Sequence, residues 1–111
     1  MTDRELLEQA AKAAGIKVKG KFEDEPTLLI KPGIRLPPAR WNPLTDDGDA
    51  LRLAVKLELE ISASYDESAN VYVGYDDGER IRYVINEKGD DPYAATRRAI
   101  VMAAAEIGAG K

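Results

Sequence analysis

From Leu59 to Ile85 apolar and polar residues largely alternate, and a period of two marks a run of half-buried strands. Leu59, Ile61, Ala63 and Tyr65 alternate with Glu58, Glu60, Ser62 and Ser64. Val71, Val73 and Tyr75 form a second inward set, and Ile81, Tyr83 and Ile85 a third. Asp66 to Asn70 reads as a loop. Asp76-Asp77-Gly78-Glu79 reads as a hairpin, because Asp-Gly tolerates the paired positive φ of a type I′ turn. The expected object is a three-stranded antiparallel meander with its odd-numbered face buried. Its other face then shows Tyr72 and Val84 among polar neighbours, and is either bare, or covered by the first helix or by a second copy of the chain.

A period of 3.6 brackets the meander. Thr45, Asp46 and Asp47 are alternative N-caps for a helix whose inner stripe is Ala50, Leu53, Ala54 and Leu57, widened by Leu51 and Val55. Arg52, Lys56 and Asp49 are expected to face water. After the meander, Asp91-Pro92 is an N-cap with proline at the first helical position. The helix it opens is expected to bury Tyr93, Thr96, Ile100, Ala103, Ala104 and Ile107, to run to about Ile107 and to stop at Gly108. Both helices should cover the odd-numbered face of the meander.

The first third of the chain adds a helix and a hairpin. Thr2 and Glu5 have capping-box spacing, Leu6, Leu7, Ala10, Ala13 and Ala14 form a stripe, and Gly15 is a left-handed stop. Ile16 to Phe22 alternates, with Ile16 and Val18 inward, and Thr27 to Lys31 is a second short strand. Pro32 to Arg40 holds Pro32, Pro37 and Pro38 and reads as an ordered loop delivering Trp41 to the core. The order is α-β-β-α-β-β-β-α, an α+β fold of antiparallel sheet packed by helices, sandwich-like, in one domain over residues 1–111.

Composition then narrows the chemistry. The chain has neither Cys nor His, which removes disulfides, thiolate sites and the commonest general base. Sixteen basic against twenty acidic residues give a net charge of −4, against a generic nucleic-acid binder. No apolar run is long enough to span a bilayer, and the N-terminus lacks the apolar core of a signal peptide, so the expected location is cytoplasmic, off the membrane. Asp46, Asp47 and Asp49 miss the alternating-ligand pattern of a calcium loop and are read as helix caps. Asp76, Asp77 and Glu79 are read as hairpin-tip residues. Ser62, Ser64 and Ser68 have no histidine to activate them, and glycine-rich phosphate loops are absent, so no catalytic residue, metal or cofactor is expected.

The segments WNPLTDDGDALRLAVKL and YAATRRAIVMAAAEIG together resemble small uncharacterised proteins of tailed phages and prophages, the group described as a phage α-β-α sandwich domain. Trp41, Asn42, Pro43, Asp47, Ala50, Val55, Lys56 and Leu57 carry the likeness in the first segment. Ala94, Arg98, Ala99, Ile100 and Ala103 carry it in the second, and the opening MTDRELLEQAAKAAGI also fits. The resemblance implies a phage or prophage gene acting in a bacterial cytoplasm, and no catalytic residues.

Two functional expectations follow. The first is a non-enzymatic accessory protein that binds a host or phage protein, inhibiting a host defence or regulating a host enzyme. Its contact surface would be the polar face of the meander around Tyr72, Arg80 and Arg82, or the Pro-rich loop; a homodimer through such a face is a further expectation. The second is a module like a double-stranded-RNA-binding domain, with Arg97 and Arg98 near the start of the last helix. The acidic total makes nucleic acid the weaker expectation.

Overall fold

The capping box forms as expected. In the computed structural model, which describes residues 1–63 and 69–111, Thr2 Oγ1 accepts the Glu5 N–H and Glu5 Oε1 accepts the Thr2 N–H, each at 3.1 Å. They open α1 (Asp3–Ala14), which Gly15 ends at φ 68°. Tyr65, Ser64, Ser68 and most of the loop read over residues 66–70 lie outside the described residues.

Three short strands follow: β1 (Val18–Lys21), β2 (Leu28–Ile30) and β3 (Ala39–Trp41). They form an antiparallel sheet of their own in the order β1-β2-β3. The sequence reading had only two strands here. The third begins directly after Pro38 and pairs Trp41 with Leu28. As an edge strand it pairs on one side only, which a neighbouring proline tolerates. Val18 was expected inward but is 38% exposed; it faces the buried Ile30 on β2 but lies on an edge strand that pairs on one side only.

Trp41 plugs the core as expected, at 4% exposure. Asn42 then organises the turn into α2 (Asp47–Lys56). Its side-chain Nδ2 donates to Thr27 Oγ1 at 3.1 Å, its Oδ1 accepts the Leu44 N–H at 3.0 Å, and its own N–H donates to Asp49 Oδ2 at 3.0 Å. Asp49 therefore does not face water, as the sequence reading had it; its side chain is 14% exposed. Asp46 is the N-cap, accepting the Asp49 N–H at 2.8 Å. The buried stripe of α2 is Ala50, Leu53 and Ala54 only. Leu51 and Val55, expected to widen it, are exposed; of the other elements, α2 packs chiefly against one helix, so a narrow stripe suffices.

After α2 the chain reverses through Glu58, which holds a left-handed φ of 55° while the Leu59 N–H donates to the Ala54 carbonyl at 2.9 Å. The second sheet is β4 (Glu60–Ser62), β5 (Asn70–Asp76) and β6 (Ile81–Glu87), antiparallel in that order. Val71, Val73 and Tyr75 are buried as expected. The inward set of β6, however, is the opposite of the expected one. Val73 pairs with Val84, Val71 with Asn86 and Tyr75 with Arg82, and facing residues of an antiparallel pair share a face. Val84 is buried, while Ile81, Tyr83 and Ile85 are exposed by 46%, 54% and 56%.

The last helix, α3 (Pro92–Ala109), is capped by Asp91, whose Oδ1 accepts the N–H groups of Tyr93 and Ala94 at 3.1 Å. It packs on α1 along one side and on α2, β5 and β6 along others. Ala95, Ala99, Val101 and Ala105 are therefore buried alongside the expected Ile100, Ala103 and Ala104. Tyr93, expected inside, is 71% exposed, on the rim of a cleft that opens toward α2 and the second sheet. The helix also does not stop at Gly108. That residue is buried within the helix, where a Cβ would run into the main-chain carbonyl of Gln9 on α1. The fold is α+β: three helices and two small antiparallel sheets in the order α-βββ-α-βββ-α.

Candidate functional site

The register of β5 with β6 creates an apolar sheet face that the sequence reading placed in the core. On the outward side lie Ser62 of β4, Tyr72 and Gly74 of β5, and Ile81, Tyr83 and Ile85 of β6. Tyr72 faces Ile85, and Gly74 faces Tyr83. A Cβ on Gly74 would lie 2.8 Å from the Tyr83 ring and 3.3 Å from an Ile81 methyl. The ring thus occupies the space a side chain at Gly74 would fill, an arrangement that holds an exposed aromatic in place. Every helix that packs on this sheet does so from the other side, and among the described residues no element covers the face.

Of the expected interface residues, only Tyr72 sits on this face. Arg82 is on the opposite, inward side, and its guanidinium pairs with Asp77. Arg80 is at the hairpin tip, where its N–H donates to Asp77 Oδ1 at 2.9 Å. The Asp77 carboxyl is held well below the usual carboxylate range by the N–H groups of Arg80 and Glu79 and then by the Arg82 side chain. The tip differs from the expected Asp-Gly pair: Gly78 alone has a positive φ, of 99°, in the φ pattern of a type II′ turn centred on Gly78 and Glu79.

Arg97 and Arg98 are bound up within the fold. Arg97 donates to the Leu44 carbonyl at 2.9 Å and to Asp47 at 2.6 Å, with 17% of its side chain exposed. It fastens α3 to the entry of α2. Arg98 pairs with Asp3 at 3.1 Å and fastens α3 to α1. The two arginines are not brought together with Tyr72, Arg80 or Arg82.

Clefts open elsewhere, and two of them are partly apolar. One, of about 330 Å³, lies between α2 and the start of α3 over Ala50, Val71 and Ile100. The other, of about 620 Å³, lies between α2 and the first sheet, with Lys17, Lys31 and Lys56 around Trp41 and Leu53. Tyr75 is pushed above its ordinary value, by burial and then by the Glu106 carboxylate that accepts its hydroxyl at 2.9 Å. That bond ties β5 to α3. Among the described residues no group of three acidic side chains could hold a metal ion. No helix of the described chain is long and apolar enough to cross a membrane.

The outward residues Ile81, Tyr83 and Ile85 were missed as surface residues, although a signal for them exists. A two-residue turn centred anywhere in Asp77–Glu79 pairs odd positions on one strand with even positions on the other. Turn length therefore contradicts the hydrophobic alternation, and turn length wins. Scans of protein-family models, curated proteins and solved structures find no match to this chain.

Proposed function

We propose that this protein is a non-enzymatic binding protein that works through the outward face of its second sheet. The observation that carries the reading is the uncovered run Ile81, Tyr83, Ile85 beside Tyr72. Large apolar side chains exposed singly are ordinary, whereas a contiguous set on one rigid face is the mark of an interaction surface. Tyrosine in a fixed orientation is a favoured anchor of such surfaces. The resemblance to small phage and prophage proteins sets the context: an accessory protein in a bacterial cytoplasm that inhibits a host defence or regulates a host enzyme.

Binding of double-stranded RNA draws less support. The arginines that would meet phosphate are engaged with Asp47 and Asp3, and the chain carries a net charge of −4. Affinity capture from host lysate with and without nuclease tests the choice. A stoichiometric host protein retained after nuclease treatment is the expected result; recovery that vanishes with nuclease, or salt-dependent binding to duplex RNA, would favour the nucleic-acid reading.

A further inference from the structure

Acidic residues of all three strands of the second sheet border the apolar strip on β6. Glu60 on β4, Asp76 on β5 and Glu87 on β6 all fall on the outward face by register, and all are exposed. Glu60 and Glu87 have no ion-pair partner among the described residues. The strands' only basic residue in the β5–β6 ladder, Arg82, falls on the inward face and is paired with Asp77. Among the described residues of the ladder the outward face is thus an apolar strip, ~13 Å long from Ile81 to Ile85 at ~3.3 Å per residue, with an acidic border, Arg80 lying beyond it at the hairpin tip.

We infer that this face takes a basic amphipathic segment of another protein, with Leu-, Ile- or aromatic-type anchors on the strip and Lys or Arg over Glu60, Asp76 and Glu87. The inference rests on the interaction reading above and adds the chemistry of the partner. Two arguments select this occupant. Charge complementarity across an interface speeds encounter and rejects partners of the wrong sign. A second copy of the chain is such a wrong partner. Placed on this face, it brings a second set of the same carboxylates to the border, on a chain that already carries −4. The strip's length also matches about two turns of a helix at 5.4 Å each, so the side chains of one helix face can span it.

Fluorescence anisotropy with two labelled synthetic helices tests this, one an amphipathic Lys/Leu peptide and the other its Glu/Leu counterpart. The wild-type protein should bind the Lys/Leu peptide tighter than the Glu/Leu peptide by roughly tenfold or more at low salt, with the gap narrowing as salt rises. Glu60→Lys with Glu87→Lys should reverse the preference. Glu23→Lys with Asp24→Lys changes the net charge equally at exposed positions off this face and should leave it unchanged. Tyr83→Ser should weaken binding of both peptides while the circular dichroism spectrum stays native. Equal binding of the two peptides, or the same loss of preference in both charge-swapped variants, would overturn the basic-partner inference and leave the interaction reading standing. A wild-type dimer in sedimentation that Tyr83→Ser dissociates would overturn it in favour of a second copy. Binding of the Lys/Leu peptide that Tyr83→Ser does not weaken would count against the face itself, and so against both readings.

Discussion

Val84 stands directly opposite Val73 across the β5–β6 ladder, and both are buried, at 5% and 0% exposure. This one pairing fixes which side of β6 the core owns. Val84→Ala should therefore cost about 2–3 kcal/mol in denaturant unfolding, a core truncation. Ile85→Thr, which keeps β-branching one residue away, should change stability by less than ~1 kcal/mol. A larger loss at Ile85 than at Val84 would mean that the register is the reverse.

Gly108 matters because α1 and α3 touch backbone to backbone there. A methyl at this position would lie 2.9 Å from the Gln9 carbonyl carbon and 3.3 Å from the Ala13 nitrogen, and main chain yields less readily than a side chain. Gly108→Ala would raise intrinsic helix propensity by ~1 kcal/mol. It is nevertheless expected to destabilise the protein by about 1–3 kcal/mol through overpacking. A stabilised variant, read from the thermal midpoint, would contradict the close crossing.

The Trp41–Asn42 corner is expected to be the most sensitive short stretch. Trp41→Ala should cost about 3–5 kcal/mol, as large aromatic truncations in cores do. Asn42→Ala leaves the Leu44 N–H and the Thr27 hydroxyl without the partners they have now and should cost about 1–3 kcal/mol. Equilibrium urea unfolding of the two variants checks both values. A near-neutral Trp41→Ala would mean that the anchor is elsewhere.

Tyr75 gives a dependence on pH at the alkaline end. Its folded-state pKa is raised, so above pH 10 the unfolded chain releases this proton before the folded one does. Stability from this group is complete below its ordinary value and falls as pH rises from there through the raised one. Tyr75→Phe should flatten the loss of stability above pH 10 relative to wild type. Parallel curves in unfolding titrations would contradict the burial of the hydroxyl against Glu106.

Much of this was legible in the chain, for reasons that are local. Thr2 with Glu5, Asp46, Asp91 with Pro92, and Gly15 each act through atoms within a few residues, so the helix starts and the first helix end can be read directly. β3 was hidden because its pairing with Leu28 spans the Pro-rich segment. Gly108 looked like a stop because glycine ends helices more often than it crosses them, and only the approach of Gln9, distant in sequence, reveals its use. The outward face was misread for a different reason. Three large apolar residues at Ile81, Tyr83 and Ile85 outweigh Val84 and Asn86 in any count of hydrophobicity, yet facing pairs are set by the hairpin. The candidate site was thus hidden by the same alternation that revealed the strand. Arg82, Arg97 and Arg98 were drawn to the surface argument by their charge, and each is held by a partner that sequence spacing alone does not show, Asp77, Asp47 and Asp3 respectively.

The most direct test of the central claim compares affinity capture by wild-type protein with capture by a Tyr83→Ser, Ile85→Thr variant from nuclease-treated host lysate. Both proteins should first be shown to unfold at similar denaturant concentrations. The account predicts a stoichiometric protein partner with the wild type and its loss with the variant. Equal recovery of that partner by a folded variant would show that binding occurs elsewhere and would contradict the account.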